Sequence, residues 1–255
     1  MILAELEAAL PAFLEIPAGP FLMGTPTGAL SDLARRFGGT RESYAEEAPQ
    51  HRLELAAFAI AAVPVTNRLY GLWAASSGVR RPITWHGDQP PAALLDLPVV
   101  DVSWDEALAC CAWLREASGL PVRLPSEAEW ERAARGDDGR IWPWGDELDP
   151  ARANIAEAQL GGPTPVGSFP AGASPVGALD MAGNVWEWTG SLQAPYPYAA
   201  GDGRESPQPV EGLDRRRIMR GGCWANPGHF ARVTCRFRLP PERSTHLLGF
   251  RLARD

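Results

Sequence analysis

Apolar and polar positions alternate over short distances along this chain, which indicates short strands joined by turns. Residues 13–25 have apolar runs broken by turn residues, a pattern that predicts an opening β-hairpin. Residues 31–49 are polar and charged and predict a loop, after which strand character returns over residues 50–60. Residues 98–103 predict one more short strand that ends in a helix cap.

Helices are predicted where a capping residue precedes apolar residues at three- and four-residue spacing. Thr66 and Ser103 each stand before such a pattern. Ser126 and Glu129 have the spacing of a capping box and predict a third helix. Residues 193–214 are rich in Pro, Gly and charge and predict a long exposed loop.

Composition limits the classes of function that are open. With 255 residues, 45% of them hydrophobic, the chain can bury a full core, and no linker divides it, so we predict one α+β domain over residues 1–255. The net charge of −7 argues against a phosphate-binding stripe, so no nucleic-acid partner is expected. Neither a signal peptide nor a long apolar run is visible. We therefore expect a cytoplasmic protein without a membrane partner.

The C-terminal segment, residues 220–252, combines a frame of Arg, Gly, Trp, Thr and Pro with residues of no common chemistry. Catalysis needs particular groups at particular places, so this mixture favours a display surface over a catalytic loop. Alternation along residues 232–238 would place Arg232 and Arg236 on an inner face and Phe237 on the outer one. The predicted display positions are Cys223, Ala225, Asn226, Pro227, Gly228, His229, Phe230, Cys235, Phe237, Leu239, Ser244, Thr245, His246 and Leu247.

Eight short motifs, in this order, resemble the formylglycine-generating enzyme superfamily. They occupy residues 16–24, 64–67, 100–104, 123–131, 143–145, 183–188, 220–222 and 249–251. The resemblance covers almost the whole chain. It implies an elaborated C-type lectin fold of the formylglycine-generating enzyme type, loop-rich, with short strands and a few helices.

The resemblance leaves several functions open, because members of this superfamily differ in chemistry. Copper-dependent oxidases of the family need two cysteines five residues apart after the Gly-Gly pair; the matching positions here hold Asn226 and Ala231, which cannot bind copper as thiolates. Cys223 and Cys235 are candidates to replace them. The histidine-rich iron site of the sulfoxide synthases has no counterpart in the four histidines of this chain.

Other members are variable proteins, whose C-terminal segment is rewritten at template adenines by a diversity-generating retroelement. Codons rewritten in this way can encode the residue found at every predicted display position. The main hypothesis is therefore a non-catalytic, hypervariable ligand-binding protein, of a kind that phages or mobile elements encode, with an unknown macromolecular ligand. The alternative is a metal-dependent oxidase or oxygenase with an altered site.

The resemblance also implies structural calcium, with no copper or iron. Ca²⁺ accepts a mixture of carbonyl and carboxylate oxygens in irregular geometry. The ligands of the first implied site are the backbone carbonyl oxygens of Asp180, Gly183 and Val185 and the carboxylate of Glu187. A second implied site would use Asn154 and Ile155. The alternative role for Glu187 is a structural carboxylate paired with an arginine.

Overall fold

The computed structural model describes residues 2–199 and 201–255. Within these ranges the α-helices are α1 (Ile2–Ala9), α2 (Leu30–Phe37), α3 (Asn67–Ser77), α4 (Trp104–Ser118) and α5 (Glu127–Arg135). The strands are β1 (Phe13–Ile16), β2 (Gly19–Met23), β3 (His51–Leu55), β4 (Phe58–Ala61), β5 (Val122–Arg123), β6 (Trp186–Gln193), β7 (Asp214–Arg220), β8 (Phe237–Leu239), β9 (Leu248–Phe250) and β10 (Ala253–Arg254). Short 3₁₀ helices and turns form most connections.

Three small sheets organise these strands. The first has the order β1-β4-β10-β5 and so joins both ends of the chain, while β2 and β3 pair only with each other. The third has the order β8-β7-β6-β9, in which β9 runs parallel to β6 and the other neighbours are antiparallel. The C-terminal segment therefore contributes both outer strands of the third sheet, and the chain between them crosses one end of the molecule.

The predicted hairpin over residues 13–25 and the predicted loop over residues 31–49 are wrong. Residues 13–25 do form strands, but β1 pairs with β4 and β2 with β3, so they are not a hairpin. Residues 31–49 are not a loop but contain α2 and a 3₁₀ helix, Arg41–Glu47. Leu30, Leu33 and Tyr44 form a small apolar cluster that holds these two elements together. These three apolar residues are spaced out within an otherwise polar stretch, so the polarity of the stretch concealed their contact.

The capping predictions are confirmed. The Thr66 hydroxyl accepts a hydrogen bond from the third residue of α3, and Ser103 and Ser126 each form a complete capping box at the start of α4 and α5. Residues 98–103, predicted as a strand, form only one isolated bridge, between Thr66 and Pro98. These caps fix where α4 and α5 begin, and α5 carries the carboxylates that organise the candidate site.

The main core lies between α3, α4 and the third sheet and is rich in tryptophan. Trp73, Trp104, Trp188 and Phe250 belong to one buried cluster. Each of the four cysteines is a free, buried thiol. Among the described residues, none of the helices has the length and apolar character that crossing a bilayer requires.

Candidate functional site

The predicted display positions divide into three groups by exposure. Ala225, Pro227, Phe237 and His246 are exposed, and the Phe237 side chain is 47% accessible despite its size. Half-buried positions are Asn226, His229, Phe230, Leu239, Ser244, Thr245 and Leu247. The remaining three, Cys223, Gly228 and Cys235, are buried. Three of the exposed and half-buried positions, His229, Phe230 and Phe237, line the same groove.

Cys223, Gly228 and Cys235 were predicted as display positions, and the structure contradicts this. Cys223 lies in the main core, and burial raises the pKa of its thiol. Burial also raises the pKa of Cys235 to about 12. A Cβ atom at Gly228 would lie 2.6 Å from Cδ1 of Leu148, so a side chain there would force Leu148 to shift. These three residues belong to the buried layer that supports the surface.

Asn226 and Ser244 are pinned by hydrogen bonds rather than free to vary. The Asn226 Oδ1 atom accepts from Trp186 Nε1 at 2.8 Å and from the Cys223 thiol at 3.1 Å. The Ser244 hydroxyl donates to Asp101 Oδ1 at 2.7 Å. An acceptor that satisfies a buried indole is costly to remove. Both positions therefore belong to the frame.

The predicted strand over residues 232–238 is also wrong, although its arginines do face inward. Only β8 is a strand; the chain before it forms turns. Cys235 lies on the buried side together with Arg232 and Arg236, because turn geometry does not keep the two-residue alternation of a strand. Arg238 is half-buried.

Buried ion pairs hold these arginines in place. Arg232 donates to both carboxylate oxygens of Glu47, at 2.6 and 2.8 Å. Arg236 forms the same forked arrangement with Glu127, at 2.5 and 3.0 Å. Planar guanidinium groups suit such two-point contacts. Each pair connects the C-terminal segment to an element far away in sequence.

Arg220 completes this ionic frame from β7. It pairs with Glu127 and Glu131, and it donates to the carbonyl oxygens of Val233 and Thr234 at 2.8 and 3.1 Å. Burial opposes ionisation of Glu127, but Arg236 and Arg220 hold the pKa of its carboxyl below the ordinary value. The frame therefore stays charged at neutral pH.

A groove of about 570 Å³ lies between residues 37–47 and the C-terminal segment. Its side chains, in chain order, include Phe37, Tyr44, His229, Phe230, Phe237 and Arg238. The ion pairs of Arg232 and Arg236 form its floor, and Glu42 and Glu46 lie at its edge. The sequence did not predict the wall at Phe37 and Tyr44, since that segment read as a loop. The signal available in the sequence was the presence of aromatic residues, Phe37 and Tyr44, within a polar stretch.

Aromatic rings dominate the inner surface of the groove. His229 stacks on Phe37 with ring centroids 6.3 Å apart and lies 4.3 Å from Phe230. Burial, with the nearby charge of Arg232, lowers the pKa of His229, so its ring is neutral at pH 7. Rigid aromatic groups beside acidic edges suit binding by surface complementarity.

The first implied calcium site does not fit the residues present. Glu187 is fully buried, and both of its oxygens accept from Arg251, at 2.6 and 2.7 Å, while Trp130 Nε1 donates at 2.6 Å. A guanidinium group thus already neutralises this carboxylate. The other three implied ligands are backbone carbonyl oxygens; the Asp180 carboxylate is not one of them and accepts from the Gly167 amide at 2.7 Å. Gly183 and Val185 lie in the tight turn between these two acids.

The second implied site, at Asn154 and Ile155, fits a cation in part. The Asn154 Oδ1 atom is buried without a hydrogen-bond partner in the described part of the chain, while its amide nitrogen donates to Gly162. The Ile155 carbonyl accepts one hydrogen bond, from Ala158. Over residues 2–199 and 201–255, no three His, Cys, Asp or Glu side chains come together in a metal-binding group.

Comparison with known proteins identifies the family. The model of the sulfatase-modifying factor enzyme 1-like domain matches residues 3–255. The chain belongs to this family. It is 38% identical over 175 residues to the inactive Cα-formylglycine-generating enzyme 2 of Bos taurus, covering 62% of this chain and 50% of that protein. It is 35% identical over 258 residues to hercynine oxygenase of Mycolicibacterium thermoresistibile, covering 84% and 55%.

The chain thus spans about half the length of the curated relatives that it matches. Two solved structures resemble this chain over nearly their whole length. PvdO from Pseudomonas aeruginosa has a TM-score of 0.75 at 28% identity, covering 96% of this chain and 94% of that one. Treponema denticola variable protein 1 has a TM-score of 0.73 at 23% identity, with coverages of 95% and 94%. The predicted C-type lectin-like fold of this family is confirmed.

Tolerance to substitution within the segment should follow this division. The double replacement Ala225→Ser, His246→Gln is expected to change the free energy of unfolding by no more than about 0.5 kcal/mol per substitution. Asn226→Ala is expected to cost about 1–3 kcal/mol, because the Trp186 indole loses its acceptor. Gly228→Ala should cost a similar amount through overpacking. Urea denaturation measures all three, and equal losses would contradict the division.

Proposed function

We propose that this protein is a non-catalytic receptor that binds a macromolecular ligand in the groove between residues 37–47 and the C-terminal segment. The observation that carries the proposal is the composition of the groove wall. Phe237 lines it with an exposed side chain and His229 and Phe230 line it with half-buried ones, while the arginines beneath them are locked in buried ion pairs. Contact residues can thus change without loss of their support.

The chemistry of the thiols supports a binding role. A cysteine reacts with oxygen or binds copper as the thiolate. Burial raises the pKa of both Cys223 and Cys235, so both are protonated thiols at neutral pH. The Cys223 thiol also donates a hydrogen bond to Asn226, so it already has a partner among the supporting residues.

We further propose that the accessible positions are diversified by a retroelement. The resemblance of the fold to a variable protein supports a scaffold of this kind, and the burial of Cys223, Gly228 and Cys235 narrows the diversified set. The neighbouring DNA tests this step. A near-copy of the coding sequence for residues 220–252, differing at adenines and lying beside a reverse-transcriptase gene, is the expected finding. Its absence would remove diversification and leave ligand binding to be tested separately.

A metal-dependent oxygenase is the second candidate. The relationship to hercynine oxygenase, at 35% identity over 84% of this chain, favours it. Elemental analysis of the purified protein distinguishes the two candidates. One copper or iron ion per chain, lost on Cys223→Ser, together with oxygen consumption on a thiol-containing peptide, would replace the binding proposal by the enzymatic one.

Structural calcium is proposed only at Asn154 and Ile155. A calcium ion would give the unpartnered Asn154 Oδ1 atom a partner, with the Ile155 carbonyl as a second oxygen ligand. Chelation with EDTA is therefore expected to lower the melting temperature of the wild type, by mass action, and to leave Asn154→Ala unchanged. A wild type that does not respond to EDTA would rule calcium out.

A displayed library tests the binding proposal directly. We expect most members of a yeast-surface library to fold when six exposed or half-buried positions are randomised. Selection of this library against immobilised serum albumin is expected to yield binders. The randomised positions are Ala225, Pro227, His229, Phe230, Phe237 and His246. Surface expression reports folding, and retention on albumin reports binding.

The matched control library randomises six frame positions instead. These are Cys223, Asn226, Gly228, Arg232, Cys235 and Arg236. Most of its members should fail to reach the cell surface, because buried groups lose their partners. Equal expression of the two libraries, or no binder from the first, would contradict the proposal.

A further inference from the structure

A second cavity, of about 350 Å³, lies away from the groove, beneath the loop that joins β6 to β7. Trp104, Leu108, Leu124 and Pro207 supply apolar walls. A volume of this order accommodates a small organic molecule. The groove shares none of these wall residues, so this cavity is a separate feature of the molecule.

One carboxyl group, that of Glu205, points into this cavity. The residue as a whole is exposed on the loop, but its carboxyl group turns inward. Its Oε1 atom accepts hydrogen bonds from the Ser191 hydroxyl, at 2.6 Å, and from the Tyr198 hydroxyl. Ser191 is fully buried. Two neutral donors therefore hold the group in a fixed direction and leave its Oε2 atom available.

Glu205 differs from the carboxylates of the ionic frame because no cation pairs with it in the described residues. Arg123, also in the cavity wall, is forked onto Glu129 at 2.7 and 2.8 Å and contacts Asp255 as well. Arg217, below the loop, donates from its two Nη atoms to the carbonyl oxygens of Gly190, Ser206 and Pro207, and its guanidinium group lies over the Trp104 ring. Neither arginine forms an ion pair with Glu205.

The surroundings of Glu205 favour a positively charged partner. Removal from water raises the pKa of its carboxyl group, and the negative charges of Glu127 and Glu129 raise it further. A carboxylate held in such a place without a counter-charge is unfavourable, and an ammonium group beside Oε2 would relieve this cost. Apolar walls around the group would cover the remainder of the ligand.

We infer that this cavity is a binding site for a primary amine with an apolar body, in which Glu205 receives the ammonium group and Trp104, Leu108, Leu124 and Pro207 enclose the body. The site is independent of the groove. Ser191 and Tyr198 act as positioning residues that fix the carboxyl group. The inference rests on the cavity, the orientation of Glu205 and charge complementarity.

Titration calorimetry with 2-phenylethylamine tests this inference on the full-length protein. Saturable binding to the wild type is expected, with at least a tenfold loss of affinity in Glu205→Gln, which keeps the shape and removes the charge. The neutral isostere 2-phenylethanol should bind at least tenfold more weakly than the amine. Glu211→Gln, an exposed change in the same loop, is the matched control and should bind like the wild type.

Leu108→Trp provides a second test that leaves Glu205 in place. The larger side chain fills the cavity, so binding of the amine should be lost. A thermal melt of each variant confirms that it is folded, and if Glu205→Gln does not fold, Leu108→Trp decides. The inference is overturned if the wild type does not bind the amine, if the alcohol binds equally well, or if binding survives in a folded Glu205→Gln or Leu108→Trp protein.

Discussion

Glu127→Ala is expected to lower the free energy of unfolding by about 3–5 kcal/mol, the cost typical of removing one partner from a buried ion pair. Glu127 is inaccessible to solvent and pairs with both Arg220 and Arg236. Its removal leaves Arg236 without a carboxylate, while Arg220 keeps Glu131, which also pairs with Arg135. Urea denaturation at pH 7 measures the change.

The matched control for this prediction is Glu54→Ala. Glu54 pairs with Arg52 on an exposed surface, where such pairs contribute about 0–1 kcal/mol. The double variant Glu127→Ala, Arg236→Ala should lose less than the sum of the single losses, because the two groups interact directly. Additive losses, or a Glu127 effect as small as the control, would show that the ion pairs do not hold the C-terminal segment.

Glu187→Ala is expected to have a comparable effect, again about 3–5 kcal/mol. The change leaves Arg251, which is fully buried, without its carboxylate, and leaves the Trp130 indole without an acceptor. We expect the loss to be the same size in EDTA and in millimolar calcium, because a guanidinium group rather than a metal ion neutralises Glu187. Denaturation curves in the two buffers measure this.

Arg254→Ala serves as the control, since it removes a pair with Glu15 near the surface and a contact with the Phe13 ring, neither of which involves Glu187. A different outcome would return Glu187 to the metal ligands. If calcium stabilised the wild type and this gain disappeared in Glu187→Ala but persisted in Arg254→Ala, the carboxylate would have to contact the ion.

The sequence alone determined the local features and the family. Ser103 and Ser126 cap their helices because a capping box needs only residues three apart, which a sequence displays directly. The motifs around Arg220 and Arg251 were also visible, and with them the C-type lectin-like fold. The arginines of the C-terminal segment were predicted to face inward, and Arg232 and Arg236 do so.

Only the tertiary structure decided which positions of the segment are surface and which are support. Cys235 and Gly228 are of residue types expected at display positions, yet both are buried, and a side chain at Gly228 would force Leu148 to shift. The wall at Phe37 and the partner of Glu187 likewise come from distant parts of the chain. Burial and ion pairing depend on contacts between residues far apart in sequence, and local patterns carry no record of those contacts.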